Sequence, residues 1–266
     1  MRFVHKSDSP VHWDCSIDTG LLDSGLNQIN LNLNLNLERL MYEFTMHYQP
    51  KIMHGRMISC EALLRPKHKI NVEQFVQTCP DPIRLDILVI KQVMKELCLH
   101  AIDVNTSVNI NAKSIMNDAF VNFCLTEVQG KGITLEITEY SDIDNRALFA
   151  KNIAKLQQGK IKISLDDFGK GYAHSILLVK NKFDEIKLDK SLIDNIDTDG
   201  DVFCHLKYLI EMLRKMGFTK FVFEGVETLK QQEQILKIDN NAILQGYFYS
   251  KPTPMKALID GWHSTC

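Results

Sequence analysis

No apolar run in this sequence is long enough to cross a bilayer, which takes about 20 consecutive residues. Stretches such as Ile87 to Ile90 stop after one helical turn. The opening MRFVHKSDSPVHWD has no apolar core segment and does not read as a signal peptide. Seven cysteines, at 15, 60, 79, 98, 124, 204 and 266, never form C-x-x-C. Their odd number and scatter argue against a disulfide framework or a zinc site and favour reduced, buried thiols in a cytoplasmic protein. Basic surplus is absent too: 31 Lys+Arg against 33 Asp+Glu give a formal charge of −2. Neither direct nucleic-acid binding nor attraction to anionic lipid is expected, so a nucleotide ligand needs a local site. Phosphate loops of the G-x-G-x-x-G or G-K-[ST] type are also missing.

What is present fits one folded unit: 266 residues is an ordinary length for a single barrel. Residues 1–37 differ in composition, being rich in Asp, Ser, Gly and Asn before INLNLNLNL (29–37) alternates with period two. That alternation reads equally as a half-buried strand, a sticky tract or a frayed lead into a helix ERLMYEF. The extension is too short for a sensor domain. The functional unit is placed at 38–258, with 259–266 as a tail.

From Glu38 onward, short strand-like runs alternate with helix-length stretches. The runs are FTMHYQPKI, MISCEALLR, TSVNINA, ITLEITE, IKISLDDF, FDEIKLD, KFVFEGVE and AILQGYFY. Amphipathic helices are expected at 83–100, 145–158 and 201–216, the first with Ile87, Ile90, Val93, Met94 and Leu97 on its buried face. Eight strands with intervening helices in about 220 residues point to an α/β fold closed as a (β/α)8 barrel rather than an open sheet.

The strand candidates carry polar residues near their C-terminal ends. Glu61 follows ISC, Asn109 follows SV, Glu136 follows TL, Asp166–Asp167 follow ISL, Lys187 follows EI, Glu224 follows VF and Gln245 follows IL. In a barrel those ends converge on one mouth, where active sites are built. One such glutamate is more often a cap or a surface ion pair; recurrence on successive strands is what singles the set out. Clustered carboxylates repel one another, and divalent cations remove the repulsion. Oxygen ligands without convergent Cys or His favour Mg²⁺ or Mn²⁺. If the backbone turns at the strand end, both Asp166 and Asp167 reach the mouth and one of them can bridge two metals.

At this point the motifs resemble a family. Glu61-Ala62-Leu63-Leu64-Arg65 is similar to the signature of EAL domains, found in bacterial cyclic di-GMP phosphodiesterases. Tyr48-Gln49-Pro50, VNINA, LEITE, LDDFG-x-GY, IKLDKS, EGVET and QGYFYSKP follow the family order. The resemblance runs from about Glu38 to Pro252 and describes a standalone EAL protein without a sensor or GGDEF domain. It implies a modified barrel whose first strand is antiparallel. It also implies that Glu61, Asn109, Glu136 and Asp166 hold one Mg²⁺ or Mn²⁺, with Asp166 bridging to a second ion on Asp167. Lys187 would orient the attacking water, Glu224 would hold the second-metal and water network, and Gln245 would support it. Gln49 and Arg65 would bind substrate, and Glu139 would brace the loop after Asp167. Water would open cyclic di-GMP in line to pGpG. A homodimer is a further implication.

Four positions depart from the family pattern: Lys170 where a small residue is usual, Asn111 for the usual Ser of VN-x-S, His174, and Pro66 after Arg65. Lys170 is read as solvated rather than phosphate-binding. The rival readings are a silent cyclic di-GMP receptor or protein-docking regulator, and a barrel enzyme acting on another phosphorylated or enolisable substrate. Retention of every metal-ligand position weighs against the former, and Q-G-x-x-x-S-K-P with E-G-V-E-T against the latter.

Overall fold

The structure, a computed structural model, describes residues 43–67, 70–138, 143–170, 178 and 181–263. The expectations for residues 1–37, for Glu139 and for His174 fall outside the described residues. Eight strands close into a barrel in chain order: β1 Phe44–Met53, β2 Arg56–Pro66, β3 Asn105–Asn111, β4 Ile133–Thr138, β5 Lys162–Phe168, β6 Glu185–Leu188, β7 Phe221–Phe223 and β8 Ile243–Leu244. Each runs parallel to its successor except β1, which is antiparallel to both β2 and β8. A turn through His54 and Gly55, both at positive φ, joins β1 to β2 and makes the reversal possible.

Side chains alternate across each strand. Val108, Ile110, Leu135, Ile137, Ile163, Leu165, Ile186 and Leu188 join the buried apolar cluster. Residues of the opposite parity on the same strands, such as Ser107, Asn109, Glu136, Ser164, Asp166, Glu185 and Lys187, bear polar groups that meet inside the barrel. The apolar core therefore lies between barrel and helices, and the barrel interior is polar.

Among the described residues the first two helices are α1 Val72–Gln77 and α2 Pro82–Leu99. Asp81 caps α2 by accepting from Arg84 N at 3.0 Å, with Pro82 at the first turn where its missing N–H costs nothing. Its Leu85, Val89, Val93 and Leu97 are buried at helical spacing. Short helices α3 Ala112–Ile115 and α4 Asp118–Phe123 follow β3. Asn111 has a structural role here, because its Oδ1 accepts from Lys113 N at 2.8 Å and caps α3. Helix α5 spans Arg146–Gln158, α6 Gly200–Lys215, α7 Leu229–Ile238 and α8 Met255–His263. A capping box between Thr228 and Gln231 starts α7 shortly after β7. Tyr48 and Thr253 exchange backbone hydrogen bonds at 2.6 and 3.0 Å, tying the segment before α8 to β1. Among the described residues no helix is long and apolar enough to cross a membrane.

Cys60 and Cys124 are buried free thiols, as expected, but Cys204 is exposed. Cys98 is disulfide-bonded, which corrects the expectation of uniformly reduced cysteines.

Candidate metal centre

Barrel closure brings the polar strand positions to one point. Lys187 on β6, 1% exposed, places its Nζ 2.8 Å from Asp166 Oδ1, 2.9 Å from Glu224 Oε1, 3.0 Å from Glu136 Oε2 and 3.2 Å from Glu61 Oε2. Those four carboxylates come from β5, the residue after β7, β4 and β2. Their convergence is a consequence of register: Asn109 lies opposite Glu136, and Gln49 opposite Glu61.

Two amides hold Glu61. Asn109 Nδ2 donates to its Oε1 at 2.8 Å and Gln245 Nε2 to its Oε2 at 2.6 Å. Gln245 Nε2 also reaches Gln49 Oε1 at 3.2 Å, while Gln49 Nε2 donates to the Ser250 carbonyl at 3.0 Å. Gln49 is thus 8% exposed and built into the wall. Beside it a cleft of about 300 Å³ opens, bordered by Lys190, Glu224, Gln245 and Tyr247.

Asp166 and Asp167 reach the same side because β5 breaks its regular pairing between Leu165 and Phe168. Asp167 adopts φ +51°, a left-handed conformation that Asp tolerates better than most residues. Bulges of this kind re-aim side chains beside active sites. Carboxylate oxygens of Asp166, Asp167 and Glu224 consequently lie within 4.8 Å of one another.

Two glycines let the strand ends approach. Gly225, at φ +70°, follows Glu224, and a Cβ there would meet the Lys190 side chain at 2.5 Å. A Cβ on Gly246 would lie 2.1 Å from the Val226 carbonyl oxygen.

Charge shapes the titration of the cluster. Burial works to raise Glu136, but the ammonium groups of Lys187 and Lys51 outweigh it and hold the carboxyl down to about 2. At Asp166 burial prevails over Lys187, helped by the negative charges of Glu136 and Glu61, and the group is pushed up to about 6. Glu224 is pushed up to about 8 by burial, again against Lys187, with Asp166 and Glu61 adding repulsion. For Lys187, burial favours the neutral amine, yet Asp166, Glu136, Glu224 and Glu61 together keep it charged, well above its ordinary value.

The donor set suits a hard divalent cation. Five carboxyls at the mouth, those of Glu61, Glu136, Asp166, Asp167 and Glu224, outnumber the three ammoniums that pair with them, Lys187, Lys51 and Lys170. In addition, Asn109 Oδ1 is buried with no hydrogen-bond partner, an amide oxygen in reach of oxygen-only coordination.

Not every residue marked in the sequence joins this group. The Arg65 guanidinium donates to the Leu64 carbonyl at 3.0 Å and lines a separate cavity of about 130 Å³ with Asn109. Lys170 is largely exposed and pairs with Asp167 at 3.3 Å. Sequence reasoning overlooked Lys51, Ser107 and Glu185, a polar layer beneath the mouth. Lys51, fully buried, donates to Ser107 Oγ at 2.9 Å, to Glu185 Oε1 at 3.0 Å and to Glu136 Oε1. The signal was available: Lys51, Ser107 and Glu185 each stand two residues from Gln49, Asn109 and Lys187 on the same strand, and so share their side of the sheet.

Comparison with known proteins finds chains of similar sequence and fold. The family model described as the EAL domain matches residues 33–252. The bifunctional diguanylate cyclase/cyclic di-GMP phosphodiesterase MucR of Pseudomonas aeruginosa is 27% identical over 96% of the chain. The cyclic di-GMP phosphodiesterase PdeL of Escherichia coli is 31% identical over 86% of it. The chain spans 40% of the length of MucR and 67% of PdeL. A solved structure of the PaMucR phosphodiesterase in complex with c-di-GMP is 29% identical, with a TM-score of 0.65 over 87% of this chain and 99% of that one.

Proposed function

Because the chain belongs to the EAL-domain family, we propose that it is a metal-dependent phosphodiesterase that opens cyclic di-GMP to linear pGpG. The observation that carries the reading is the convergence of Glu61, Glu136 and Asp166 from three strands, and Glu224 from the end of a fourth, on one buried ammonium, with Asp167 beside them. The activities named for PdeL and MucR supply the substrate class.

Glu61, Asn109, Glu136 and Asp166 are the residues to hold one ion, and Asp166, Asp167 and Glu224 a second. Bound Mg²⁺ or Mn²⁺ would supply Lewis acidity toward the phosphate and acidify a coordinated water. The chain's own contributions are geometric and electrostatic. Gln245 and Asn109 fix the carboxylate plane of Glu61 from both sides. Lys187 supplies a permanent positive charge where negative charge accumulates as water attacks phosphorus in line. Gln49 and the cleft beside Glu224 border the space for the substrate, and Arg65 is the residue assigned to a phosphate oxygen. Glu139 is assigned the bracing of the loop after Asp167.

The unit carrying this activity is taken as residues 38–258, preceded by an extension and followed by a short tail. Homodimerisation is the quaternary state proposed with it. A silent receptor is disfavoured by the complete carboxylate set. The test is incubation of the purified protein with cyclic di-GMP and Mg²⁺ or Mn²⁺, read by chromatography. Linear pGpG supports hydrolysis; saturable binding with no product would make the protein a receptor.

A further inference from the structure

Among the described residues, Lys51 is a fully buried ammonium of the barrel with no part in the chemistry described above. It sits on β1, whose direction is reversed, so it lies two residues beyond Gln49 and one level deeper along the barrel axis, about 6–7 Å below. Its three N–H donors are all used. They go to Ser107 Oγ at 2.9 Å, Glu185 Oε1 at 3.0 Å and Glu136 Oε1. Glu136 is thereby held at both oxygens: Oε1 from below by Lys51, Oε2 from above by Lys187 at 3.0 Å.

We propose that Lys51 is a positioning residue for the metal centre: from the barrel floor it fixes the carboxylate of Glu136 so that one oxygen stays presented to the mouth. The inference rests on the metal-site reading given above. Groups that brace a metal-ligating carboxylate from behind set ligand orientation, and losing them typically costs about 10- to 100-fold in metal affinity or activity. A mere counter-charge would behave oppositely. Deleting a positive charge beside a cation site strengthens cation binding by simple electrostatics. The two roles therefore predict opposite signs.

The experiment is calorimetric titration of Mn²⁺ into the full chain, with electron paramagnetic resonance of the bound ion, for wild type, Glu185→Gln and Lys51→Met/Glu185→Gln. The double variant removes the ammonium and one carboxylate together, so the local charge balance is preserved. In Glu185→Gln the amide oxygen still accepts from Lys51, so the wild-type spectrum is expected, with Mn²⁺ affinity only slightly lowered by the lost negative charge. In the double variant, affinity is expected to fall about 10- to 100-fold and the zero-field splitting to change. Wild-type affinity and spectrum in the double variant would overturn the inference and leave the metal site standing. No Mn²⁺ binding by wild type would instead overturn the metal-site reading beneath it. If circular dichroism shows the double variant unfolded, Lys51→Gln/Glu185→Gln, which fills the barrel floor with amides at the same charge balance, takes its place. A shifted spectrum is then expected, and an unchanged one counts against Lys51.

Discussion

Gln245 Nε2 and Glu61 Oε2 are 2.6 Å apart, although 184 positions separate them in the chain. The contact ties β8 to β2 across β1 and leaves Glu61 little freedom, since Asn109 grips its other oxygen. Gln245→Ala should therefore weaken Mn²⁺ binding and turnover about 10- to 100-fold while the fold persists. Mn²⁺ titration alongside a thermal melt checks this; an unchanged affinity with an intact fold would remove Gln245 from the site.

Lys187 offsets four carboxylates in a buried site, so its loss leaves most of them uncompensated. Lys187→Met is expected to destabilise the metal-free protein by about 3–5 kcal/mol. Saturating Mn²⁺ should return part of that stability but not turnover. Denaturant unfolding with and without the ion measures it, and wild-type stability in the metal-free variant would contradict the electrostatic account.

The raised Asp166 and Glu224 carboxyls make a pH prediction with a definite sign. At about 6 and about 8 they bind more protons folded than unfolded, where carboxyls titrate near 4. Their contribution to metal-free stability must then fall as pH rises from about 4 to about 8. Mn²⁺ displaces those protons, so the gain in Tm on adding the ion should grow between pH 6 and 8. Scanning calorimetry across that range, with Glu224→Gln as comparison, tests it. Equal gains at both ends would sink the prediction.

Gly246 packs against the backbone of Val226, leaving no room for a methyl group. Gly246→Ala should cost about 1–3 kcal/mol through forced backbone movement, and displacing the neighbouring Gln245 should lower Mn²⁺ affinity as well. A melt and a metal titration on the same sample report both effects.

All eight strands were legible as short strand-like runs, because burial on the helix-facing side demands apolar residues at every second position. Strand direction was not, since a period of two is the same read either way; the reversal of β1 came from resemblance alone. The last two strands are shorter than their runs. KFVFEGVE pairs only over Phe221–Phe223, because Gly225 turns the chain at positive φ, and AILQGYFY only over Ile243–Leu244. Both aspartates are expected at the mouth if the strand ends there; β5 instead runs on to Phe168, and a break in its register after Leu165 turns the chain. Lys51 and Glu185 escaped notice because a charged residue in a strand ordinarily marks a solvated face. Only the closed barrel shows that this face is interior. Arg65 illustrates the converse, a motif residue whose guanidinium rests on a backbone carbonyl away from the carboxylates.

The carboxylate ring around Lys187 is proposed to perform metal-dependent hydrolysis of cyclic di-GMP. The most direct measurement is the Mn²⁺ dependence of pGpG formation by wild type and Glu61→Ala side by side. The account predicts saturable, metal-dependent product from wild type and none above background from Glu61→Ala. Substantial metal-dependent pGpG from Glu61→Ala, or metal-independent product from wild type, would contradict it.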